Sequence, residues 1–472
     1  MTTRKIYGPP GTGKTTYLLS LMEKTLQSYA PEEIAFVSFT KRGAYEGAAR
    51  ARKKFGFQLS QMRYFRTLHS LCFSSIGAKK SQIMGKSDYK KFSDAVGMDF
   101  VGYYSPELEM YQGDNAYLFA LLMRQANVHY CKKLIESLDE KKLLFVAANY
   151  LNFKKHFGLL DYADLLTEYE KRGTALPVKV AFVDEAQDLT PQQWRIVDKL
   201  FCNCDTVYIA GDDDQAIYEW NGADVSEFLR RGDETVVLSQ SYRVPKQVHR
   251  LADTVLKLID RRAEKVYRPR DKEGEVEHMP TWGAVKLGEL QDDTLILCRN
   301  RYHMRQVEAS LKEKGVPYIH RGVSSIDEKC FRAIYAFEEH RKTKTEETAS
   351  KLQLYKDYFT IVDDAAPWYI NANDTLLDAH YYRALLANGY NEKTIPNVTL
   401  NTIHASKGAE AAHVILSLDC SRKTYKSLIE SPDSELRCYY VAITRAKEKL
   451  TVKLQETQNG YPVLWRDETH AF

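Results

Sequence analysis

The sequence has no segment that would place the chain in a membrane. No run approaches the ~18 apolar residues that a membrane-spanning helix needs. Met1 leads directly into a charged segment rather than into a signal peptide. We therefore expect a cytoplasmic protein without a membrane partner.

The sequence also has few cysteines, no large excess of positive or negative charge, and no low-complexity linker. Eight of the 472 residues are Cys, and the closest pair, Cys202 and Cys204, has no second Cys or His group at metal-binding spacing. The net charge of +4 does not by itself indicate a nucleic-acid partner. Hydrophobic residues make up 44% and charged residues 28% of the chain, which is typical of a protein that folds throughout.

Short apolar runs recur along the chain and are separated by polar stretches long enough for a helix. This alternation predicts an α/β fold with parallel sheets. The runs are Ile34–Phe39, Val178–Val183, Thr206–Ala210, Val236–Leu238, Thr294–Cys298, Thr399–Ile403 and Val414–Leu418. Two segments, residues 78–159 and 325–396, interrupt the alternation and are predicted to be mostly helical insertions.

The segment Gly8–Thr15 has the spacing of a phosphate-binding P-loop, G-x-x-x-x-G-K-[ST]. It follows the strand-like Lys5–Tyr7 and precedes a helical stretch, so its backbone N–H groups would face phosphates. Lys14 would add a positive charge and Thr15 a hydroxyl ligand for Mg²⁺. The alternative is a glycine-rich turn that binds nothing. The predicted nucleotide-binding residues are Gly8, Pro9, Pro10, Gly11, Thr12, Gly13, Lys14, Thr15 and Thr16.

A pair of acids ends the strand pattern Val178–Val183. Asp184 and Glu185 would lie at the carboxyl edge of a parallel sheet, where α/β proteins bind ligands. Asp184 is predicted to hold Mg²⁺, and Glu185 to orient or deprotonate an attacking water. Such a pair alone is usually a solvated strand end. Together with the P-loop it predicts a site of nucleotide hydrolysis.

These two elements open an ordered series of motifs by which the sequence resembles the UvrD/Rep-like superfamily 1 helicases. Each motif alone is weak, but a chance match to the whole ordered series is negligible. The further motifs are Phe39–Ala44 (Ia), Thr67–Ser70 (Ib), Asp161–Leu166 (before the acidic strand), Gly211–Ala223 (III), Gln240–Arg243 (IV), Thr402–Glu410 (V) and Tyr439–Lys447 (VI).

The resemblance implies roles for residues around the nucleotide. Gln215 would couple the γ-phosphate to DNA, and Arg243 and Arg445 would act as arginine fingers. Tyr242 would stack on the base, and Glu410 would join the nucleotide site. Phosphoryl transfer needs such added positive charge on the developing phosphate. As lone residues, the two arginines would more often be surface ion-pair partners.

The resemblance also implies a set of residues along single-stranded DNA. Phe39 and Trp220 would stack on bases, while hydroxyls and imidazoles would hold the strand's backbone, a combination that tolerates any sequence. Without the motifs, both aromatics would more simply be core residues. The predicted backbone contacts are Thr40, Thr67, His69, Thr402 and His404.

The sequence departs from the family pattern at several positions. The family usually reads adenine with a glutamine-bearing segment before the P-loop, but residues 1–7 contain no glutamine, and Thr16 stands where many relatives have Arg. We therefore expect weaker selectivity for ATP. Ala409 and Ala411 replace the usual large apolar residues of motif V. The second insertion is also shorter than the regulatory subdomain of the best-known relatives, which predicts a compact motor.

The resemblance implies two RecA-like P-loop NTPase lobes, each with a mostly helical insertion, with ATP between the lobes and single-stranded DNA across them. The predicted ranges are 1–77 and 160–232 for the first lobe, 78–159 for its insertion, 233–324 and 397–472 for the second lobe, and 325–396 for its insertion.

The function that the resemblance implies is that of a 3′–5′ DNA translocase and helicase, acting on single-stranded and tailed duplex DNA in replication or repair. Two alternatives stay open. One is a translocase that displaces proteins without unwinding, and the other is a nucleotide-switched DNA-binding module. Glu185 and the two fingers argue against the second, because a switch needs no complete catalytic set. The sequence identifies no loading or accessory protein.

A last prediction concerns Tyr461. Leu450–Leu454 is a strand pattern, the Asn-Gly pair at 459–460 favours a tight turn, and Tyr461–Trp465 would supply the returning strand of a hairpin. Since relatives place a strand-separating pin here, Tyr461 would stack on the last base pair of a duplex. The alternative is a Tyr that merely packs the hairpin against the lobe, because Pro462 disfavours a regular returning strand.

Overall fold

The computed structural model describes residues 2–100, 114–125, 135–290, 292–361, 363 and 365–462. They form two compact units, each built around a mostly parallel sheet. The first unit takes its described residues from 1–249, 253–272 and 431–441, and the second takes them from 250–252, 273–430 and 442–472. The predicted α/β fold is confirmed.

The sheet of the first unit has six parallel strands in the order β3-β2-β4-β5-β1-β6. β2 and β4 are buried along their whole length, as expected for parallel strands that are covered on both faces. The strands are β1 Thr2–Tyr7, β2 Ile34–Ser38, β3 Phe65–Thr67, β4 Val180–Asp184, β5 Thr206–Gly211 and β6 Glu234–Val237.

The sheet of the second unit has seven strands in the order β10-β9-β11-β8-β12-β13-β7, and within it only the β9–β10 pair is antiparallel. The strands are β7 Glu275–Met279, β8 Thr294–Cys298, β9 Tyr318–His320, β10 Val323–Ser324, β11 Val398–Thr402, β12 Ala411–Ser417 and β13 Ala446–Lys453.

Helices cover both sheets. The first ten are α1 Lys14–Thr25, α2 Lys41–Phe55, α3 Leu68–Ser75, α4 Lys86–Val96, α5 Asn115–Gln125, α6 Glu140–Phe157, α7 Tyr162–Arg172, α8 Pro191–Leu200, α9 Val225–Arg230 and α10 Lys246–Leu256. The others are α11 Arg301–Glu313, α12 Glu328–Thr343, α13 Glu346–Gln353, α14 Trp368–Asn371, α15 Ala379–Ala387, α16 Arg422–Glu430 and α17 Pro432–Ile443. In the described part of the chain, none of them is long and apolar enough to cross a bilayer.

The alternation of side chains along β2 divides the core of the first unit into two layers. Ala35 and Val37 belong to one hydrophobic cluster, whereas Ile34 and Phe36 belong to another. Successive residues of a strand point to opposite faces of the sheet, so each strand contributes to both clusters. This is why the apolar runs in the sequence are continuous rather than alternating.

The two interrupting segments are helical where they are described, and they pack differently. The first contributes Phe92, Val146 and Tyr150 to a hydrophobic cluster of its own. The second packs Phe331 and its other apolar residues into the same cluster as strands β8 and β11. The second insertion therefore extends the core of its unit instead of forming a separate one.

The first unit extends beyond the boundary predicted at residue 232. Val236 and its neighbours form β6, which pairs in parallel with β1 from Arg4 to Tyr7. The sequence analysis placed this apolar run in the second lobe. An apolar run indicates a strand but not its partner, and here the partner is the otherwise open edge of β1.

A buried ion cluster joins α6 of the first insertion to the start of α7. Nζ of Lys154 lies 2.7 Å from Oδ2 of Asp161 and 2.6 Å from Oδ2 of Asp164. The hydroxyl of Tyr150 donates to Asp161 over 2.8 Å, and Asp161 also caps α7 by accepting from the backbone N–H of Asp164. Lys154 and Asp161 are buried. The cluster therefore fixes where the helix that leads toward β4 begins.

We predict that Lys154→Met destabilises the protein by about 3–5 kcal/mol, because it leaves the buried carboxylate of Asp161 and the half-buried one of Asp164 without their cation. Urea unfolding followed by circular dichroism measures this change. The adjacent Lys155 is exposed, so Lys155→Met serves as the control and should change the free energy of unfolding by less than about 0.5 kcal/mol. Equal, small changes in both variants would show that the cluster does not stabilise the fold.

Candidate functional site

The P-loop connects β1 to α1 and depends on glycine at three positions. Gly11 and Gly13 have φ angles of 74° and 76°, in the left-handed region that glycine adopts without strain. A Cβ atom on Gly8 would lie 2.9 Å from the side chain of Lys14, and one on Gly11 would lie 2.3 Å from Cβ of Arg243. Larger residues would fill the cradle, so the loop fits a bound phosphate.

The N-terminus of α1 opens into this cradle. Among the described residues, no side chain caps the helix at Gly13, and its first turn contains no acidic residue. Such an N-terminus favours an anion through its backbone N–H groups and the helix dipole. Thr12 closes the loop by donating its hydroxyl to the carbonyl of Pro9 over 2.8 Å, whereas Thr15 and Thr16 are half-buried and exposed, respectively.

The two acids predicted after β4 lie against the P-loop lysine. Nζ of Lys14 is 2.6 Å from Oε1 of Glu185 and 3.7 Å from Oδ1 of Asp184. Burial raises the pKa of Asp184 to about 6, although Lys14 opposes this rise. Burial by itself would lower the pKa of Lys14, but the two carboxylates outweigh it and raise that pKa above its ordinary value. The structure thus brings together groups that were inferred from separate motifs.

Glu185 has an unusual backbone conformation. Its φ and ψ are 55° and 39°, in the left-handed region that is costly for a residue with a side chain. The conformation turns the chain at the carboxyl end of β4. Strain of this kind persists only where surrounding contacts hold it, and here Lys14 holds the carboxylate.

Gln187 is a site residue that the sequence analysis did not assign. Its Nε2 donates to Oε2 of Glu185 over 2.7 Å, and its Oε1 accepts from the backbone N–H of Asp212 over 3.1 Å. The side chain is fully buried. Gln187 therefore links the acidic pair to the carboxyl end of β5. Its sequence signal is its place two residues after Glu185.

Three consecutive carboxylates follow β5, and an internal cation fills the space among them. Asp212, Asp213 and Asp214 lie within reach of a single metal ion. Nζ of Lys265 contacts all three, at 3.1 Å from Asp212 and 2.8 Å from Asp214. Arg262 donates two further hydrogen bonds to Asp214, each of 2.8 Å. Because Lys265 occupies the centre of the cluster, the three acids do not fit a metal ion.

The predicted motif IV segment lies on the P-loop, within the first unit. Oγ of Ser241 donates to the carbonyl of Pro10 over 2.8 Å, and the backbone N–H of Tyr242 donates to the carbonyl of Gly11 over 2.8 Å. The Tyr242 side chain is 74% exposed, and Arg243 is half-buried beside Gly11. These contacts place residues 241–243 in the first unit, beyond the lobe boundary that the sequence predicted at residue 232.

Gln215 lies in the turn that follows the three acids. Its Nε2 donates to Oδ2 of Asp212 over 2.8 Å, and its side chain is buried. Since Asp212 also donates its backbone N–H to Gln187, the two glutamines meet at one residue. Gln215, the predicted phosphate-coupling residue, is thus connected to Glu185 by hydrogen bonds that run through Asp212 and Gln187.

The two predicted base-stacking residues belong to one row of aromatic rings. The ring centroid of Tyr218 lies 5.5 Å from that of Phe39 and 6.3 Å from that of Trp220. Phe39 and Trp220 are both half-buried, and Phe39 also packs against the core. Phe39 can therefore be a core residue and a base-stacking residue at once, because one side of its ring packs against the core.

Two of the predicted backbone-contact threonines cap helices. Oγ1 of Thr40 accepts from the N–H of Gly43 over 3.0 Å, and Oγ1 of Thr67 accepts from the N–H of Ser70 over 3.3 Å. A hydroxyl that accepts in this way keeps its own proton for donation to a phosphate oxygen. Burial lowers the pKa of His69 to about 4, so this imidazole is neutral at pH 7.

The predicted residues of motifs V and VI lie together in the second unit. Arg445 is buried and donates to the carbonyl of Ala409 over 3.3 Å, while Lys447 lies 3.7 Å from Glu410. Thr402 ends β11, and its hydroxyl accepts from the N–H of Ala405. Thr402 and His404 are both buried.

Two models of known protein families match the chain. The model of the UvrD/REP helicase N-terminal domain matches residues 1–235, and the model of the UvrD-like helicase C-terminal domain matches residues 323–457. The chain belongs to the UvrD-like helicase family. The two matches together include both sheets apart from the end of β6 and the whole of β7, β8 and β9.

Individual relatives are distant in sequence. The ATP-dependent DNA helicase PcrA of Staphylococcus aureus is 23% identical over 348 residues, which cover 65% of this chain and 47% of that protein. The chain thus spans about half the length of the PcrA proteins that it matches. A probable DNA helicase of Mycoplasma pneumoniae is 24% identical over 486 residues, covering 94% of this chain and 79% of that protein. A complex of Arterivirus nonstructural protein 10 (helicase) with DNA matches 97% of this chain and 62% of that chain, with a TM-score of 0.37 and 11% identity.

The hairpin predicted around Tyr461 in this UvrD-like chain is not formed by the described residues, which end at Pro462. Gly460 pairs with Asp419 rather than with β13, and the N–H of Tyr461 donates to the carbonyl of Leu418 over 2.9 Å. The side chain of Tyr461 has no exposed surface. A fully buried ring presents no face to a base pair, so this placement favours the packing alternative. Residues 463–465 of the predicted returning strand lie outside the described residues, and the pin stays a prediction.

For the candidate hydrolysis site, we predict that Gln187→Met lowers the rate of ATP hydrolysis about 100-fold, because misplacing a catalytic group by about 1 Å costs this much. Methionine has nearly the same length but cannot hold Oε2 of Glu185. Nucleotide affinity, measured with a fluorescent ATP analogue, should stay within about twofold, since Gln187 does not contact the P-loop in the described structure. Loss of affinity and rate together would instead indicate collapse of the site.

Proposed function

We propose that this chain is an ATP-dependent 3′–5′ translocase that unwinds tailed duplex DNA. The observation that carries the proposal is the contact of Lys14 with Glu185 and Asp184 inside a glycine cradle. This arrangement combines a phosphate-binding loop, a candidate Mg²⁺ ligand and a candidate base for water. Family membership supports the same chemistry.

The residues of the first unit would act on the nucleotide as follows. ATP and Mg²⁺ would supply the phosphoanhydride bond and the charge that phosphoryl transfer requires. Thr15 and Asp184 would hold the metal ion, and Lys14 would turn from Glu185 toward the phosphate oxygens. Oε1 of Glu185 would then accept a proton from the attacking water while Gln187 holds Oε2.

Positive charge for the transferred phosphoryl group would come from Arg243 and Arg445. The position of Arg243 beside Gly11 supports this role. Arg445 donates hydrogen bonds to the carbonyl of Ala409 and to the hydroxyl of Thr444, each at 3.3 Å. A phosphate oxygen would offer its guanidinium a charge-assisted bond, which is stronger than a bond to either of these neutral acceptors.

Single-stranded DNA would bind along the aromatic row and the capping threonines. Each base stacked on an aromatic ring contributes about 1–3 kcal/mol regardless of its identity. Neutral His69 and the hydroxyls of Thr40 and Thr67 would donate to phosphates without the long-range attraction of full charges. Such contacts suit a protein that must release and rebind the strand at every step.

A second candidate function is favoured by the buried Tyr461. A translocase that displaces bound proteins needs the same hydrolysis and strand-binding residues, but it needs no ring to separate base pairs. The described end of the chain offers no such ring at Tyr461.

We predict that Lys14→Ala and Arg445→Ala each lower the DNA-stimulated rate of ATP hydrolysis by about 100-fold or more, in line with the loss of a phosphate-binding cation. A coupled ATPase assay with and without oligo-dT measures this. Lys24→Ala is the matched control, because Lys24 is an exposed residue of the same helix as Lys14. Turnover near the wild-type rate in either variant would contradict the assignment.

We also predict that the wild-type protein unwinds a duplex with a 3′ single-stranded tail faster than one with a 5′ tail, as strand-displacement gels would show. A parallel assay follows the release of streptavidin from biotinylated single strands. Release without unwinding identifies the second candidate function. ATP hydrolysis that does not respond to DNA would contradict both.

A further inference from the structure

One face of α17 lies along the segment that follows β5, inside the first unit. Asp433, Arg437 and Tyr440 are spaced at i, i+4 and i+7, so they share one face of the helix. Asp433 accepts from the backbone N–H groups of Asp260 and Arg261 over 3.0 and 2.9 Å. Burial raises the pKa of Tyr440, and the nearby Tyr267, Asp212 and Asp214 add to this rise.

Arg437 is the centre of this face. Its side chain is 1% exposed, and its Nη1 donates to Oε1 of Glu219 over 3.1 Å. Its Nη2 donates to the carbonyl of Arg261 over 2.5 Å and lies 3.7 Å from Asp433. Breaking a buried ion pair on one side leaves an uncompensated charge, so Arg437 and Glu219 are expected to move together.

Glu219 adjoins the aromatic row in the chain but is not part of it. It begins the short 3₁₀ turn Glu219–Asn221, directly between Tyr218 and Trp220. Burial raises the pKa of Glu219, and Arg437 opposes this rise. A base that stacks on Trp220 therefore acts on the turn whose first side chain is bonded to α17. We assign Glu219 no contact with a base, so its proposed role is one of positioning.

We propose that the Glu219–Arg437 ion pair couples DNA binding to ATP hydrolysis. Occupation of the aromatic row would shift the 3₁₀ turn, and the buried pair would transfer this shift to α17. The helix ends at Ile443, and Arg445 follows two residues later in the chain. Glu219 and Arg437 are thus positioning residues that act through Arg445. The inference rests on the proposed function.

The test compares Glu219→Gln with Glu219→Asp. Gln keeps the shape of the side chain but removes its charge, whereas Asp keeps the charge. Asp198→Asn is the matched control, because Asp198 forms another ion pair of the first unit, with Arg231, at 2.6 and 2.9 Å. The measurements are the rate of ATP hydrolysis with and without oligo-dT, the affinity for fluorescein-labelled oligo-dT, and the melting temperature.

The stimulation of ATP hydrolysis by oligo-dT should be about tenfold lower in Glu219→Gln than in the wild type, which is within the usual range of coupling between two sites. Its basal hydrolysis and its affinity for oligo-dT should stay within about twofold of wild type. Glu219→Asp should recover most of the stimulation, and Asp198→Asn should keep all of it.

Two outcomes overturn the coupling alone: full stimulation of Glu219→Gln, or a parallel fall of its basal rate, stimulation and melting temperature, which would mark a structural pair. A wild-type protein that DNA does not stimulate would overturn the proposed function, and the coupling with it.

Discussion

The contact between Lys14 and the two acids after β4 is the interaction on which the rest of the candidate site depends. It is possible because β4, β5 and β1 are neighbours in one parallel sheet, so their carboxyl ends meet at one edge. Gln187 and Gln215 then extend this contact toward the aromatic row through Asp212. A change in sheet order would separate these groups, whatever their sequence.

Charge compensation fixes the loop that carries these residues. Three buried carboxylates in a row would repel one another, and Lys265 with Arg262 removes that repulsion. Arg437 does the same for Glu219. These cations come from distant parts of the chain. The conformation of the loop after β5 is therefore held by residues outside motif III, to which the loop belongs.

The sequence predicted the parts of the structure that depend on local signals. The seven apolar runs located β2, β4, β5, β6, β8, β11 and β12 with bounds that differ by at most three residues, and glycine spacing located the P-loop. The partners Lys265 and Arg437 could not be found in this way, since a basic residue dozens or hundreds of positions away carries no sign of its carboxylate. The Asn-Gly pair favours a turn for local reasons, but it carries no sign of the pairing of Gly460 with Asp419, which is a tertiary contact. The roles of the individual site residues stay predictions.

The left-handed backbone of Glu185 sets stability against chemistry at one position. Glycine would adopt this conformation without the ~1–2 kcal/mol that a side chain costs there, and it would also remove the carboxylate. Selection for heat resistance alone would therefore favour the loss of the side chain that we propose accepts the proton of the attacking water. A directed-evolution screen for thermostable variants of this chain needs a parallel assay of ATP hydrolysis, because without it Glu185→Gly would be retained.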